Sequence, residues 1–278
     1  MNKLIANTLI ELEDVTTDFV YANGSEAISI TNHILEHIES VKKTPSQKQW
    51  NDAWAEIAKC DSPKYFKPRF TIDGCGVYRY KQNYIKSTVE NLESKFHDHL
   101  MKNVQDRFMF DIDCVVEFGC GTGHNLQKIR ARNENISVYG SDWANSSQDI
   151  LAQNNIPSWN FDMKKCEDFP YEEIFENYDS ICFLTVGSME QIGKDWGNFL
   201  QFMLNVKPKK SIHIEPIIEL YDSKNYYDTL AIKYHRQRNY LDGFYSLVST
   251  MKELKFVERT SFGNTYNEGF TILELEYD

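Results

Sequence analysis

Positive charge is scarce in this chain. Its 278 residues carry 30 lysines and arginines against 41 acidic residues, a formal net charge of −11. Such a field repels phosphate polymers and anionic membrane surfaces, so nucleic acid is not expected as a partner. The short cluster Lys207, Lys209 and Lys210 reads as a solvated loop. Paired cysteines are also missing. The six cysteines (Cys60, Cys75, Cys114, Cys120, Cys166, Cys182) are scattered, with no C-x-x-C and no zinc-type Cys/His spacing. Reduced thiols and a cytoplasmic location are expected, and no metal. Long apolar runs are lacking as well: acidic residues interrupt MNKLIANTLIELEDVTTDFV at residues 1–20, so neither signal peptide nor membrane span is expected there. No internal repeat or low-complexity tract appears. Hydrophobic residues at 41% are enough for one large core plus a small accessory element.

Residues 1–84 read as a helical N-terminal extension and lid, and residues 85–278 as the main domain. Ile30, Ile34, Ile38 and Val41 fall at helical spacing over 25–43, behind Ser25 as cap. Trp50, Trp54 and Ile57 mark a second helix, whose aromatic stripe reads as core. The stretch 61–84 mixes proline, glycine and aromatics and reads as an ordered loop. Its Tyr65, Phe66, Tyr78, Arg79, Tyr80 and Tyr84 either close over a ligand or glue the extension to the domain. Val89, Leu92, Phe96 and Leu100 then give an amphipathic helix. From residue 113 short apolar runs alternate with helical stretches, the signature of an α/β fold with a mostly parallel sheet covered by helices on both faces. Strands are expected at 114–118, 137–141, 180–185, 211–215, 256–261 and 270–276. The last two are separated only by a loop and should pair antiparallel at one edge.

The most informative segment is VVEFGCGTGHN, 115–125, where a buried strand runs into Gly119, Gly121 and Gly123 and then a helix. Such a turn lets backbone approach a ligand and presents free N–H groups to an anionic group. A nicotinamide loop would place its third glycine where His124 stands, and no Lys-Ser or Lys-Thr follows for a P-loop. The segment resembles motif I of class I S-adenosylmethionine-dependent methyltransferases, with Glu117 at the acidic position. The resemblance covers about 113–278 and implies a Rossmann-like seven-stranded sheet and S-adenosyl-L-methionine as cofactor. It implies that Glu117, Gly119, Cys120, Gly121, Thr122, Gly123 and Asn125 form the cofactor loop. SVYGSDWA ends a second strand in Asp142, where a carboxylate can accept from both ribose hydroxyls. Trp143 follows, placed against the adenine. Phe161-Asp162-Met163 resembles the segment that meets the adenine edge and ring, and 179–193, with Thr185 and Gln191, the fourth-strand region facing the methyl group. Tyr80 is expected to close on the cofactor.

Ligands of open parallel sheets lie beyond the strand carboxyl ends, so the acceptor and any base should come from the loops after strands four and five. His213 and Glu215 share a strand face and are base candidates, with a satisfied core histidine as the alternative for His213; His235 is a further candidate. Tyr78, Glu190, Arg236, Arg238 and Tyr240 are expected to contact the acceptor, the arginines favouring an anionic group or else forming surface ion pairs. The chain is also similar to methyltransferases encoded with bacterial surface-polysaccharide and secondary pathways. That similarity implies a small-molecule acceptor, first a hydroxyl of a sugar or sugar nucleotide, second an amine. A non-catalytic S-adenosylmethionine-binding subunit is the alternative from another class, and a homodimer is left open.

Overall fold

The computed structural model describes residues 9–41, 43–59, 76–268 and 270–277. Tyr65 and Phe66, two of the expected lid aromatics, lie outside them. The first described elements are a short strand, β1 (Val20–Tyr21), and two helices, α1 (Gly24–Ser40) and α2 (Gln47–Ala58). Each helix begins in a reciprocal capping box, which satisfies N–H groups that have no intrahelical partner. In α1 the cap is Asn23, paired with Glu26, and not Ser25, which lies inside the first turn. In α2 it is Ser46, paired with Gln49.

The stretch expected as a loop up to residue 84 ends instead in a hairpin, β2 (Val77–Tyr80) and β3 (Asn83–Lys86). Its two-residue turn, Lys81-Gln82, has φ of 48° and 58°, as a twisted hairpin demands, yet carries none of the glycine or asparagine that advertises such turns. Alternation puts Tyr78 and Tyr80 on one face and Arg79 on the other, all buried. Arg79 donates to Asp228 at 3.0 Å and to Glu268 at 3.1 Å, and Arg259 joins the same carboxylates. A buried ion cluster of balanced charge therefore locks the hairpin to the rest of the molecule; removing one member would strand a charge away from water.

The chain continues through α3 (Leu92–Phe108), β4 (Cys114–Phe118), α4 (His124–Arg132), β5 (Ser137–Asp142), α5 (Asn145–Gln153), β6 (Ser158–Asn160), α6 (Tyr171–Phe175), β7 (Ile181–Val186), α7 (Gly197–Val206), β8 (Lys210–Glu215), α8 (Tyr226–Arg238), α9 (Phe244–Val248), β9 (Leu254–Arg259), β10 (Phe262–Gly263) and β11 (Thr271–Glu276). Seven strands form one sheet in the order β6-β5-β4-β7-β8-β11-β9. The first five are mutually parallel, and β11 runs antiparallel to both β8 and β9. The last pair is antiparallel as expected, with β9 at the edge and β11 inserted beside β8. Buried apolar clusters cover both sheet faces, as the continuous hydrophobic runs of β4 and β7 require. A smaller sheet, β1-β3-β2-β10, joins N- and C-terminal segments. Among the described residues no helix is long and apolar enough to cross a membrane.

Candidate cofactor and acceptor site

The chain turns from β5 on one side of β4 to β7 on the other, which opens a crevice at the carboxyl end of β4. The glycine turn fills that point. Gly119, Gly121 and Gly123 all have positive φ, at 69°, 55° and 71°. A Cβ at Gly119 would lie 2.4 Å from Ser188 Cβ, and one at Gly121 would lie 2.7 Å from the Trp54 ring. The first glycine thus admits the loop after β7 and the second admits α2. The turn is fixed to β5: Gly119 N–H and Cys120 N–H donate to Ser141 O at 2.7 and 3.0 Å, and Gly121 N–H donates to Asp142 Oδ2 at 3.0 Å.

Two buried carboxylates flank the turn. Glu117 is 1% exposed; its Oε1 accepts from Asn125 Nδ2 at 2.7 Å, and its Oε2 is buried without a hydrogen-bond partner. Burial, against the Asn125 bond and with help from the Asp142 charge, pushes its pKa up to about 8. Asn125 is held in turn by His97 Nε2 at 2.9 Å. Asp142 also accepts from Ala144 N–H, at 2.8 Å on Oδ1, and burial raises its pKa to about 6 against these two backbone bonds. An orphaned acceptor inside a protein is costly, and a cationic donor from a ligand removes the cost.

Both carboxylates line a cavity of about 1920 Å³. Pockets for one drug-sized ligand run to roughly 300–1,000 Å³, so this cavity is larger than a single small ligand requires. Gly119, Cys120, Gly121, Thr122, Asn125, Trp143, Phe161, Asp162 and Met163 line it, and so do Gln191, Tyr78, Glu190, Arg238 and Tyr240. Gly123 does not; it packs against Leu151 and Ile156 where α4 begins.

Several expected residues are placed away from this cavity. The Tyr80 hydroxyl is within hydrogen-bond reach of two carboxylates, Glu11 at 3.1 Å and Glu13, to one of which it donates its single proton. His213 is enclosed, with Nδ1 at 2.9 Å from Thr185 Oγ1 and Nε2 at 2.9 Å from Ser211 Oγ, and burial lowers its pKa to about 3. It is a neutral core histidine, and Thr185 is its partner. His235 is likewise buried, paired with Asn267 Nδ2 at 3.0 Å and depressed to about 3 by burial and the nearby arginines. Glu215 accepts backbone N–H groups from the loop after β7, and Arg236 is exposed on α8. Conversely, Trp50 and Trp54 line the cavity although their stripe reads as core, and so do His37, Tyr234, Tyr266 and Asn267. Helical spacing reveals a stripe but not what it faces. Here α2 rests on α5, with Asn51 accepting from Ser146 N–H at 3.2 Å and Gln47 donating to Trp143 O at 2.6 Å.

No family model matches the chain, and no curated protein matches it. Solved structures do. The [4+2]-cyclase SpnF aligns at a TM-score of 0.50 with 12% identity, over 85% of this chain and 98% of that one. A SAM-dependent methyltransferase from Anabaena variabilis aligns at 0.44 with 12% identity, over 86% and 98%. The pyocyanin biosynthetic protein PhzM aligns at 0.46 with 10% identity over 67% of this chain, which spans 57% of the length of that protein. The strand order, with parallel β6-β5-β4-β7-β8 and antiparallel β11, is that of a Rossmann-like fold.

Proposed function

We propose that the protein is a cytoplasmic enzyme that transfers the methyl group of S-adenosyl-L-methionine to a small polar acceptor. The observation that carries this reading is the partnerless Glu117 oxygen beside Asp142 at the glycine turn. An amino-acid ammonium suits the first, and a ribose diol suits the second, whose carboxylate still has lone pairs after its two backbone bonds. Asp162 would accept from the adenine amino group, with Trp143, Phe161 and Met163 against the ring. Bound there, the cofactor supplies an electrophilic methyl on a good leaving group. The chain's own task is to align the acceptor, exclude water and take a proton.

The acceptor we favour is a hydroxyl of a sugar or sugar nucleotide, held between Tyr78, Arg238 and Tyr240. A small-molecule amine is the second reading, favoured by the rings of His37, Tyr266 and Tyr234 along the same wall, with successive centroids 4.6 and 4.9 Å apart. Incubation with methyl-labelled S-adenosylmethionine and a panel of sugar nucleotides and amines tests both. Label on a sugar oxygen supports the first reading, label on nitrogen alone selects the second, and tight cofactor binding with no transfer to any compound contradicts the enzymatic one.

A further inference from the structure

Glu190 is an acidic side chain in the wall of the cavity. It belongs to the 3-10 turn Met189–Ile192 that follows β7, two residues beyond Ser188, the residue that presses against Gly119. It lines the cavity there. The turn is held rigidly by the carboxylate at the end of β8: Glu215 Oε1 accepts from Ser188 N–H and Met189 N–H, both at 3.1 Å, and Oε2 accepts from Glu190 N–H at 3.1 Å. The half-buried Glu190 is thereby held beside a fully buried carboxylate. Burial raises Glu215 to about 7 against its three N–H donors, and its charge, when present, disfavours ionisation of Glu190 beside it. The other groups facing Glu190 are Gln191, whose Nε2 donates to Glu190 Oε1 at 2.6 Å, Arg238 and Tyr234 from α8, and Tyr240 just beyond it. Burial first and the Glu215 charge second raise the Glu190 pKa to about 8, against the opposing pull of Arg238, Gln191 and Tyr240.

Building on the methyltransferase reading, we propose that Glu190 responds to the sulfonium charge: it is a neutral acid before S-adenosylmethionine binds, an anion afterwards, and then the base for the acceptor. In the transfer, a lone pair on the acceptor oxygen or nitrogen forms the new bond to the methyl carbon while the carbon–sulfur bond breaks. Its electron pair stays on sulfur, giving the neutral thioether. The proton of the acceptor passes to the Glu190 carboxylate, so the positive charge lost at sulfur is matched by the negative charge lost at Glu190. Glu215 is a positioning residue in this scheme, holding the turn and biasing the pair. The base is thus made available only when the methyl donor is in place.

S-adenosylmethionine and S-adenosylhomocysteine share the ammonium, carboxylate and adenosine groups, so proton changes at Glu117 and Asp142 cancel between them; only the sulfonium differs. Calorimetric titration at pH 7.5 in buffers of different ionisation enthalpy counts protons released by each. We expect S-adenosylmethionine to release more than about half a proton beyond its thioether product. The difference should vanish in Glu190→Gln, which should bind S-adenosylhomocysteine within about twofold of the native protein. Equal release by the two ligands, or a difference that survives in Glu190→Gln, overturns the proposal. If that variant fails to fold, the native protein still decides: the difference must fade below about pH 5 and above about pH 9, and a flat profile overturns the proposal. Binding of neither ligand would instead sink the methyltransferase reading, and the role of Glu190 with it.

Discussion

Asp142 has two duties on one carboxylate. It accepts from Gly121 N–H and Ala144 N–H, which shapes the glycine turn, and it also lines the cavity. Asp142→Ala should therefore weaken S-adenosylhomocysteine binding by roughly 10–100-fold, the worth of one or two charge-assisted bonds. Calorimetry on the variant checks this, and unchanged affinity would remove the ribose assignment. Residues such as Asp142 and the three glycines are legible in sequence because each ends or interrupts a continuous apolar run. His213 is not. Alternation along β8 puts it on the same face as Glu215, but its hydrogen-bond partners, Thr185 and Ser211, reveal themselves only when β7 and β8 lie side by side. Glu190 is legible as an acceptor contact but not as a base, because its environment depends on Glu215, 25 residues away.

At the scale of elements, the parallel strands and their covering helices follow from periodicity, whereas the β2–β3 hairpin does not. Its turn forces Lys81 and Gln82 into the left-handed region, which costs a non-glycine residue roughly 1 kcal/mol each. Gln82→Gly should consequently stabilise the protein by up to about 0.5 kcal/mol, after allowing for glycine's greater freedom in the unfolded chain and for the exposed 3.2 Å bond from Asn225 Nδ2 to Gln82. Thermal or urea melts measure it; a destabilised variant would mean that the turn is not of this type. Helix α2 was legible as a helix but its role was not, because the ring of Trp54 meets a glycine that lies far along the chain. The glycine pattern carries that information only jointly with the tryptophan.

For the molecule as a whole, the buried titratable groups pull stability in opposite directions. His213 and His235 have folded-state values near 3, below the ordinary 6.5, so the stability linked to them is complete above pH 6.5 and drains as the pH falls toward 3. Glu117 and Glu190 have values near 8, above the ordinary 4.5, so their contribution is complete below about pH 4.5 and is lost as the pH rises to 8. Between pH 4.5 and 6.5 the two trends oppose each other. Above 6.5 the carboxyls dominate, and the melting temperature of the ligand-free protein should fall between pH 6.5 and 8.5. Saturating S-adenosylmethionine should flatten that decline, because its positive charges favour the ionised carboxylates. A melting temperature that rises over this interval without ligand would contradict the raised values of these two groups.

The most direct test of the central claim is calorimetric titration of the purified protein with S-adenosylmethionine and S-adenosylhomocysteine, with NAD as the control. Micromolar binding of the first two, on the order of −8 kcal/mol, and none of NAD is the expected result. Binding of NAD in preference to both, or of none of the three, would contradict the assignment of Glu117, the glycine turn and Asp142 as the holder of a methyl donor.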